Sequence, residues 1–419
     1  MHLSCPTNWD AALLDQLAGL PVAELYGQLD DDPVGGGRAR YLQAHTPLAR
    51  AAAHIRQARD GGLGFTYLLN APCLDNREYR AAFRGALGER LRWAVDAGVT
   101  GVTVSVPLLA ELVKQQFPGL WVKVSVIAHV GSLRRLRMWE DLGADEVTVD
   151  FERNRDLALL EALAGAARCE LSLLVNDLCL LDCAWRHYHY NVSGHASQAS
   201  HDGALVDYCF LRCHRLKVQQ PIELLRSPWI RPEDLTRYEA LGIGRFKLAG
   251  RTKPTATIAA IASAYAERRS PENLLGVLAG TGRDTDGLGF AALEAAARRA
   301  PGLLGKGLAA LGRLPAGLTG RGHFVELMAQ LPSQAREELL PAFVALMRLS
   351  ETVRIDGRAL DGFLDGFAGR RCGVECESCP HCEQWAGRAV TVDTARAAEI
   401  VAALERAIDG VVSGRVLPG

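Results

Sequence analysis

A chain of 419 residues with 48% hydrophobic residues is long enough for two domains, or for one large barrel with an appendage, and can bury a sizeable core. A formal net charge of −1 excludes the broad basic field that draws a protein to nucleic acid or to an anionic membrane. No apolar run is long enough to span a bilayer, and the start MHLSCPTNWDAALL lacks the basic-then-apolar order of a secretory leader, so a cytoplasmic protein is expected.

From about residue 22 to 268 short apolar segments alternate with longer helical ones, the rhythm of a parallel sheet wrapped by helices. The expected strands are 22–26, 64–69, 101–106, 121–128, 145–149, 170–175, 222–225 and 244–248. Eight strands without a strong break describe a (β/α)8 TIM-type barrel over residues 1–270; one miscounted strand would restore a doubly wound open sheet. The glycine run before Arg38 (DPVGGGRAR) matches neither the P-loop nor the dinucleotide fingerprint and reads as a tight turn, from which Arg38 would reach an anion.

Barrel enzymes carry their chemistry where strands run into the following loops. Those positions hold Tyr26, Asn70, Cys73, His129, Asp150, Asn154, Asn176, Trp229, Arg231 and Arg251. Asn154 suits a helix cap, and His129 suits either a catalytic or a plain rim position. His187 and His189 are candidates for proton transfer with His129 and Asp150, or for support of a metal group. Tyr26, Asn70, Arg186, Arg231 and Arg251 are candidates for substrate binding, the arginines because a guanidinium grips a carboxylate bidentately.

Eight of the eleven cysteines fall in two clusters, which in a cytoplasmic chain read as metal ligands rather than disulfides. The insert 176–215 holds Cys179/Cys183 and Cys209/Cys213, each pair separated by three residues; if helical, each would present both sulfurs on one face. Four converging thiolates hold an iron–sulfur cluster or a structural zinc.

Beyond residue 270 a helical C-terminal extension (271–419) is expected, with helices at 290–299, 335–348 and 393–411 and Gly/Pro breaks at 301–320. It carries Cys372, Cys376, Cys379 and Cys382, whose last three repeat the C-x2-C-x2-C spacing of a ferredoxin-type cubane. A second iron–sulfur cluster is expected there, with zinc as the alternative. The spacing of Cys372, Cys376 and Cys379 also mimics a radical-SAM triad, but that triad follows the first strand of its barrel, not the last.

The segments ELYG…GGGRA, GFTYLLNAPCLDNREY, VKVSVIAHV, LCLLDC…HYN…CFLRCHR and SPWIRPEDLTRYEALGIGRFKLAGR together resemble the collagenase-like peptidase family U32 over most of the chain. Cys209 and Cys213, followed by His214 and Arg215, match that family's C-x3-C-x-R ligand pair, and Cys179 and Cys183 stand where its earlier ligands fall, though closer together. The resemblance implies a 4Fe–4S cluster on these four cysteines. It also implies kinship with oxygen-independent hydroxylases, namely the anaerobic ubiquinone-biosynthesis pair and the prephenate-dependent tRNA uridine hydroxylases. Implied partners are a small-molecule substrate, prephenate as oxygen donor, an electron donor such as a ferredoxin, and a second subunit.

Three functions therefore compete: an iron–sulfur oxidoreductase, a peptidase as the family name says, and a non-catalytic cluster-bearing partner subunit. For the peptidase there is no HExxH and no GxSxG, and Cys73 with His129 is the pair left to propose.

Overall fold

The computed structural model describes residues 1–43, 45–199, 207–278, 333–369, 372, 376 and 378–417. Eight parallel strands close into a barrel: β1 (His2–Pro6), β2 (Val22–Gly27), β3 (Gly64–Leu69), β4 (Gly101–Val104), β5 (Trp121–Val124), β6 (Glu146–Val149), β7 (Glu170–Leu174) and β8 (Arg245–Lys247). Each pairs with its sequence neighbour, and β8 returns to β1 through His2↔Arg245 and Ser4↔Lys247. The fold is the expected (β/α)8 barrel.

Between the strands run α1 (Ala12–Leu17), α2 (Leu48–Asp60), α3 (Ala81–Ala97), α4 (Pro107–Gln116), α5 (Leu133–Asp141) and α6 (Leu157–Ala166). In α3 the buried residues Phe83, Leu87, Leu91 and Ala94 recur at three- and four-residue spacing, so one stripe faces the sheet. The helix stops at Gly98, whose φ of +98° lets its N–H turn back to the carbonyls of Ala94 and Val95.

Two strand expectations are corrected. The segment expected as a strand at 222–225 is a short helix, Ile222–Arg226, because a brief apolar run has no period that separates strand from helix. The barrel closes instead with β1 at the chain start. That strand was missed because its inward residue is polar: Ser4 Oγ donates to Glu24 Oε1 at 2.8 Å.

The barrel interior is itself partly ionic. Lys123 Nζ lies 2.6 Å from Glu24 Oε2 and 3.0 Å from Glu146 Oε2, and Thr66 Oγ1 donates to Glu24 at 2.8 Å. Burial there pushes the Lys247 ammonium down to about 8, with its Nζ 4.4 Å from the Tyr26 ring centre.

After β7 the chain forms α7 (Arg186–Ala196), α8 (Tyr208–Gln219), α9 (Ile222–Arg226) and α10 (Leu235–Ala240), and after β8 it forms α11 (Thr255–Ala266). The extension contains α12 (Ser333–Met347), α13 (His381–Ala389) and α14 (Thr394–Val412), and adds a two-stranded antiparallel sheet of β9 (Val353–Ile355) and β10 (Val390–Val392). The helix expected at 290–299 and the breaks at 301–320 lie outside the described residues. Helix α14 packs on α8 and α13 on α9, so the extension rests on the cysteine-bearing insert. Among the described residues no helix is long and apolar enough to cross a membrane.

Candidate active site at the barrel mouth

The loops after the strands build the mouth, and α7 lies across it. At its C-terminal end Gly194 packs so closely on Pro72 that a Cβ would come 2.8 Å from Pro72 Cδ. Beyond it Ser197 Oγ accepts from Gly36 N–H at 2.8 Å, and Gln198 Nε2 donates to the Cys73 carbonyl at 2.7 Å. The glycine run after β2 is thus the seat of this cap. Gly35 has a φ of +76°, and a Cβ there would stand 2.3 Å from Ser197 Oγ. Gly35→Ala is expected to destabilise by about 2–4 kcal/mol, combining left-handed strain and overpacking. Gly62, with a φ of +81° and open space around it, is the control. Gly62→Ala should cost only about 1–2 kcal/mol from strain. Urea melts giving equal losses would mean that the cap does not press on Gly35.

At its other end α7 delivers Arg186, which is 7% exposed. Its Nη2 donates to Asp150 Oδ2 at 2.5 Å and its Nη1 pairs with Glu152 Oε1 at 2.7 Å. The same guanidinium contacts His129 Nδ1, which also lies 3.5 Å from Asp150 Oδ2. Nδ1 thus stands between a guanidinium, which can only donate, and a carboxylate, which can only accept, so it serves one of them at a time, and the ring's second nitrogen is left for other chemistry. Burial alone would raise the Asp150 carboxyl, but its hydrogen bonds to His129 and Arg186 more than offset this and hold it at about 2. His129 itself sits in the left-handed region, with φ +55°, at the end of the turn Val126–Ala128.

The His187 ring centre stands 4.4 Å from that of His129, and Tyr190 stands 5.6 Å from it. Desolvation and then the neighbouring His129 and Arg186 push His187 below the usual histidine range, which favours its neutral form. His189, two positions on, turns to the opposite side of the helix and pairs with Asp207 Oδ2 at 2.7 Å. Burial disfavours its charge, yet the bond to Asp207 raises its pKa. His189 therefore braces α7 to the cap of α8, while His187 faces the mouth.

The four insert cysteines converge from two different local structures. Cys209 and Cys213 lie one turn apart on α8, as expected; Cys179 and Cys183 lie in a turn with Asp182 at φ +50°, so that pair is not helical. Cys213 is within electrostatic reach of Cys179, Cys183 and Cys209. Burial pushes all three of those thiols up, Cys209 to about 12. Beside them Lys217, 3% exposed, places Nζ 3.9 Å from Cys213 Sγ. An ammonium so buried calls for negative charge, which thiolates would supply. Tyr190 lies between the two chemistries, in reach of Cys179 and Asp177 on one side and Arg186 and Asp150 on the other.

The tail cysteines stand close by. Cys372, Cys376 and Cys382 line a cleft of about 260 Å³ together with Glu152, Arg155, Arg226 and Leu181. Leu181 belongs to the Cys179–Cys183 turn, and Glu152 is the carboxylate that pairs with Arg186, so this cleft adjoins the first cysteine group and the mouth. At its base Arg155 donates to the carbonyls of Leu225 at 2.6 Å and Ser227 at 2.5 Å beneath the rings of Phe363 and Phe367. Both groups have the donor chemistry of a thiolate-bound cluster and a buried cation to balance it. Among the described residues, though, no three His, Cys, Asp or Glu side chains are arranged to hold a metal ion as they stand. Loading would have to draw the thiols together.

The remaining candidates divide. Asn70 and Arg251 line the mouth, with Arg251 Nη1 donating to Gln28 Oε1 at 3.1 Å. Tyr26 does too, but its hydroxyl is spent on the Leu248 carbonyl at 2.5 Å. Arg231 is placed elsewhere: it is clasped by Asp234 at 2.9 Å and by Asp361 and the Gly357 carbonyl of the extension at 2.6 and 2.7 Å. Asn154 does not cap the following helix, whose N-cap is Asp156; it is wholly buried and donates to the carbonyls of Leu174 and Pro228 at 2.9 Å. Sequence reasoning missed Glu152, Tyr190, Lys217 and Gln28. Tyr190 had a usable signal, three residues after His187 and hence on its face of the helix.

Fold and site together define a barrel protein with a helix-capped, polar mouth flanked by two groups of four cysteines. No family model matches the chain. It is 31% identical over 245 residues to the uncharacterized protease MJ1657 of Methanocaldococcus jannaschii, covering 58% of this chain and 72% of that protein. Among solved structures it is similar to the U32 peptidase Mk0906, with 21% identity, a TM-score of 0.45, and 59% of this chain and 91% of that one covered. A cyclic maltosyl-maltose hydrolase of Arthrobacter globiformis follows at 14% identity and a TM-score of 0.31, covering 48% of this chain and 60% of that one. The chain belongs to the collagenase-like peptidase family U32.

Proposed function

We propose that this member of the family is an iron–sulfur oxidoreductase, of the kind represented by oxygen-independent hydroxylases, acting on a small molecule bound at the mouth beneath α7. The observation that carries this reading is the convergence of Cys179, Cys183, Cys209 and Cys213 around the buried Lys217, one tyrosine away from the His129–Asp150–Arg186 group. Bound on those thiolates, a 4Fe–4S cluster would supply one-electron chemistry and an iron site for a substrate or oxygen-donor atom. Arg186 and Asp150 orient His129, His187 exchanges a proton with the substrate, and α7 keeps bulk water from the mouth. The Cys372, Cys376, Cys379 and Cys382 group would hold a second cluster that passes electrons inward from a ferredoxin-type donor, with prephenate as the oxygen donor suggested by the resemblance. The chain's free cysteines suit the reducing cytoplasm.

A peptidase is the second reading, favoured by the names of the relatives. Its nucleophile is hard to find. Cys213 Sγ lies 3.4 Å from His214 Nδ1, but that nitrogen also lies 2.9 Å from the Phe210 carbonyl, to which it can only donate, so it cannot at once accept a thiol proton. Anaerobic purification with iron, sulfide and zinc analysis, electron paramagnetic resonance and a gelatin-hydrolysis assay separates the two. Brown protein with iron, sulfide and no gelatinase activity is expected; colourless protein that hydrolyses gelatin would establish the peptidase.

A further inference from the structure

At the mouth lies a cluster of buried polar side chains, two of which each leave one atom without a partner. Gln28 and Asn70 are 2% and 8% exposed, and each leaves one side-chain atom without a partner: Gln28 Nε2, a donor, and Asn70 Oδ1, an acceptor. Buried polar atoms of this kind are costly unless a ligand or an ordered water completes them. The two carboxamides lie together against Gly36, where a Cβ would come within 2.2 Å of Gln28 Oε1 and 2.8 Å of Asn70 Oδ1. Only a glycine lets the two carboxamides approach the chain, and each other, at this point.

Two guanidinium groups lie near them. Arg251 is held by Gln28 Oε1 at 3.1 Å, and Arg38, carried on the glycine loop, lies within electrostatic reach of Arg251 and of Tyr26. Burial and then the repulsion from Arg38, against a favourable contribution from Tyr26, bring Arg251 down to about 10. Among the described residues no carboxylate pairs with either arginine, unlike Arg186 and Arg231, which each have two or more.

We propose that the cluster of Gln28, Arg38, Asn70 and Arg251 around Gly36 binds a small organic acid bearing a hydroxyl group on the carbon next to its carboxylate. The carboxylate receives Arg38, Arg251 and Gln28 Nε2, and the hydroxyl donates to Asn70 Oδ1. Because Gln28 and Asn70 meet at one glycine, the ligand's two groups are close neighbours, as in a 2-hydroxy acid. A 2-amino acid also offers a donor, but its ammonium would enter the field of two guanidinium groups and is disfavoured. A role for this acid as substrate rests on the oxidoreductase reading; its binding does not.

The test is isothermal titration of the whole chain, at low salt, with four probes: lactate, propionate, alanine and inorganic phosphate. Lactate should bind at least about tenfold more tightly than propionate, which leaves Asn70 unsatisfied, and alanine should not bind. R251Q and R38Q should each weaken lactate binding about tenfold or more. Arg38 is half-buried and pairs with no carboxylate among the described residues, so R38Q keeps the question answerable if R251Q fails to fold. The proposal is overturned if lactate binds no better than propionate, if phosphate alone binds, if no probe binds, or if neither substitution matters. Lactate binding to protein that carries no iron would leave this site standing and remove the oxidoreductase reading; iron-loaded protein blind to lactate would do the reverse.

Discussion

Replacing Arg186 by methionine is expected to destabilise the protein by about 3–5 kcal/mol, because it strands the buried Asp150 and its neighbour Glu152 without their counter-charge. It should also release the N-terminal end of α7 and with it the orientation of His129. The double variant R186M/D150N should recover part of the loss, since it removes the charge left uncompensated. The same pair gives a pH dependence. The Asp150 carboxyl is held at about 2 in the fold, below its ordinary value of 3.8. A depressed carboxyl contributes stability that is fully present above its unfolded pKa and is lost as pH falls through the folded one, here between pH values of about 4 and 2. The contribution is about 2 kcal/mol. Urea melts at pH 7, 4 and 2 check both statements. If R186M is as stable as the unaltered protein, or if D150N keeps the full acid sensitivity of the parent, the ion pair does not hold the cap.

Cys209→Ala and Cys379→Ala are expected to remove complementary halves of the bound iron and sulfide, from about eight of each per chain to about four. The ligands of the two groups come from separate segments, so loss of one should leave the other loaded. Their neighbourhood adds a second readout. Because Leu181 and Glu152 line the tail cleft while belonging to the first group's turn and to the mouth, two reduced clusters would be close enough to broaden each other's paramagnetic signals. Each single variant should show the narrow signal of one cluster. Loss of all iron in either variant would mean that the eight cysteines form one interdependent site. Zinc in place of iron in the unaltered protein would end the electron-relay reading.

Much of the barrel was legible in the sequence because buried parallel strands are apolar runs that stand out against amphipathic helices. Segments such as GFTYLL and VTVDF announce both the strand and the loop that follows it, and so Asn70 and Asp150 could be placed on the mouth in advance. The reasoning failed where that contrast fails. The strand β1 presents Ser4 to an ionic interior and looks like a loop, whereas Ile222–Arg226 is apolar enough to look like a strand. Arg231 shows the same limit for side chains: its place beside Trp229 suggested the rim, but Asp361 and Gly357 lie about 130 residues further on, and no local pattern announces them.

The sequence by itself determined the strand–helix alternation, the family and the two sets of four cysteines, because each is a property of neighbouring residues or of short spacings. Only the tertiary structure decided what those residues do to one another. Closure of the barrel brings Gln28, Asn70 and Arg251, from the loops after β2, β3 and β8, to one cluster. The crossing of α7 turns His187 toward His129 and His189 away from it, a choice between two histidines that spacing alone leaves open until the helix has a face. Packing of α13 and α14 on α9 and α8 sets the tail cysteines beside the first group rather than at the far end of the molecule. Such contacts depend on where burial of apolar surface drives distant segments together, and that is a property of the whole chain.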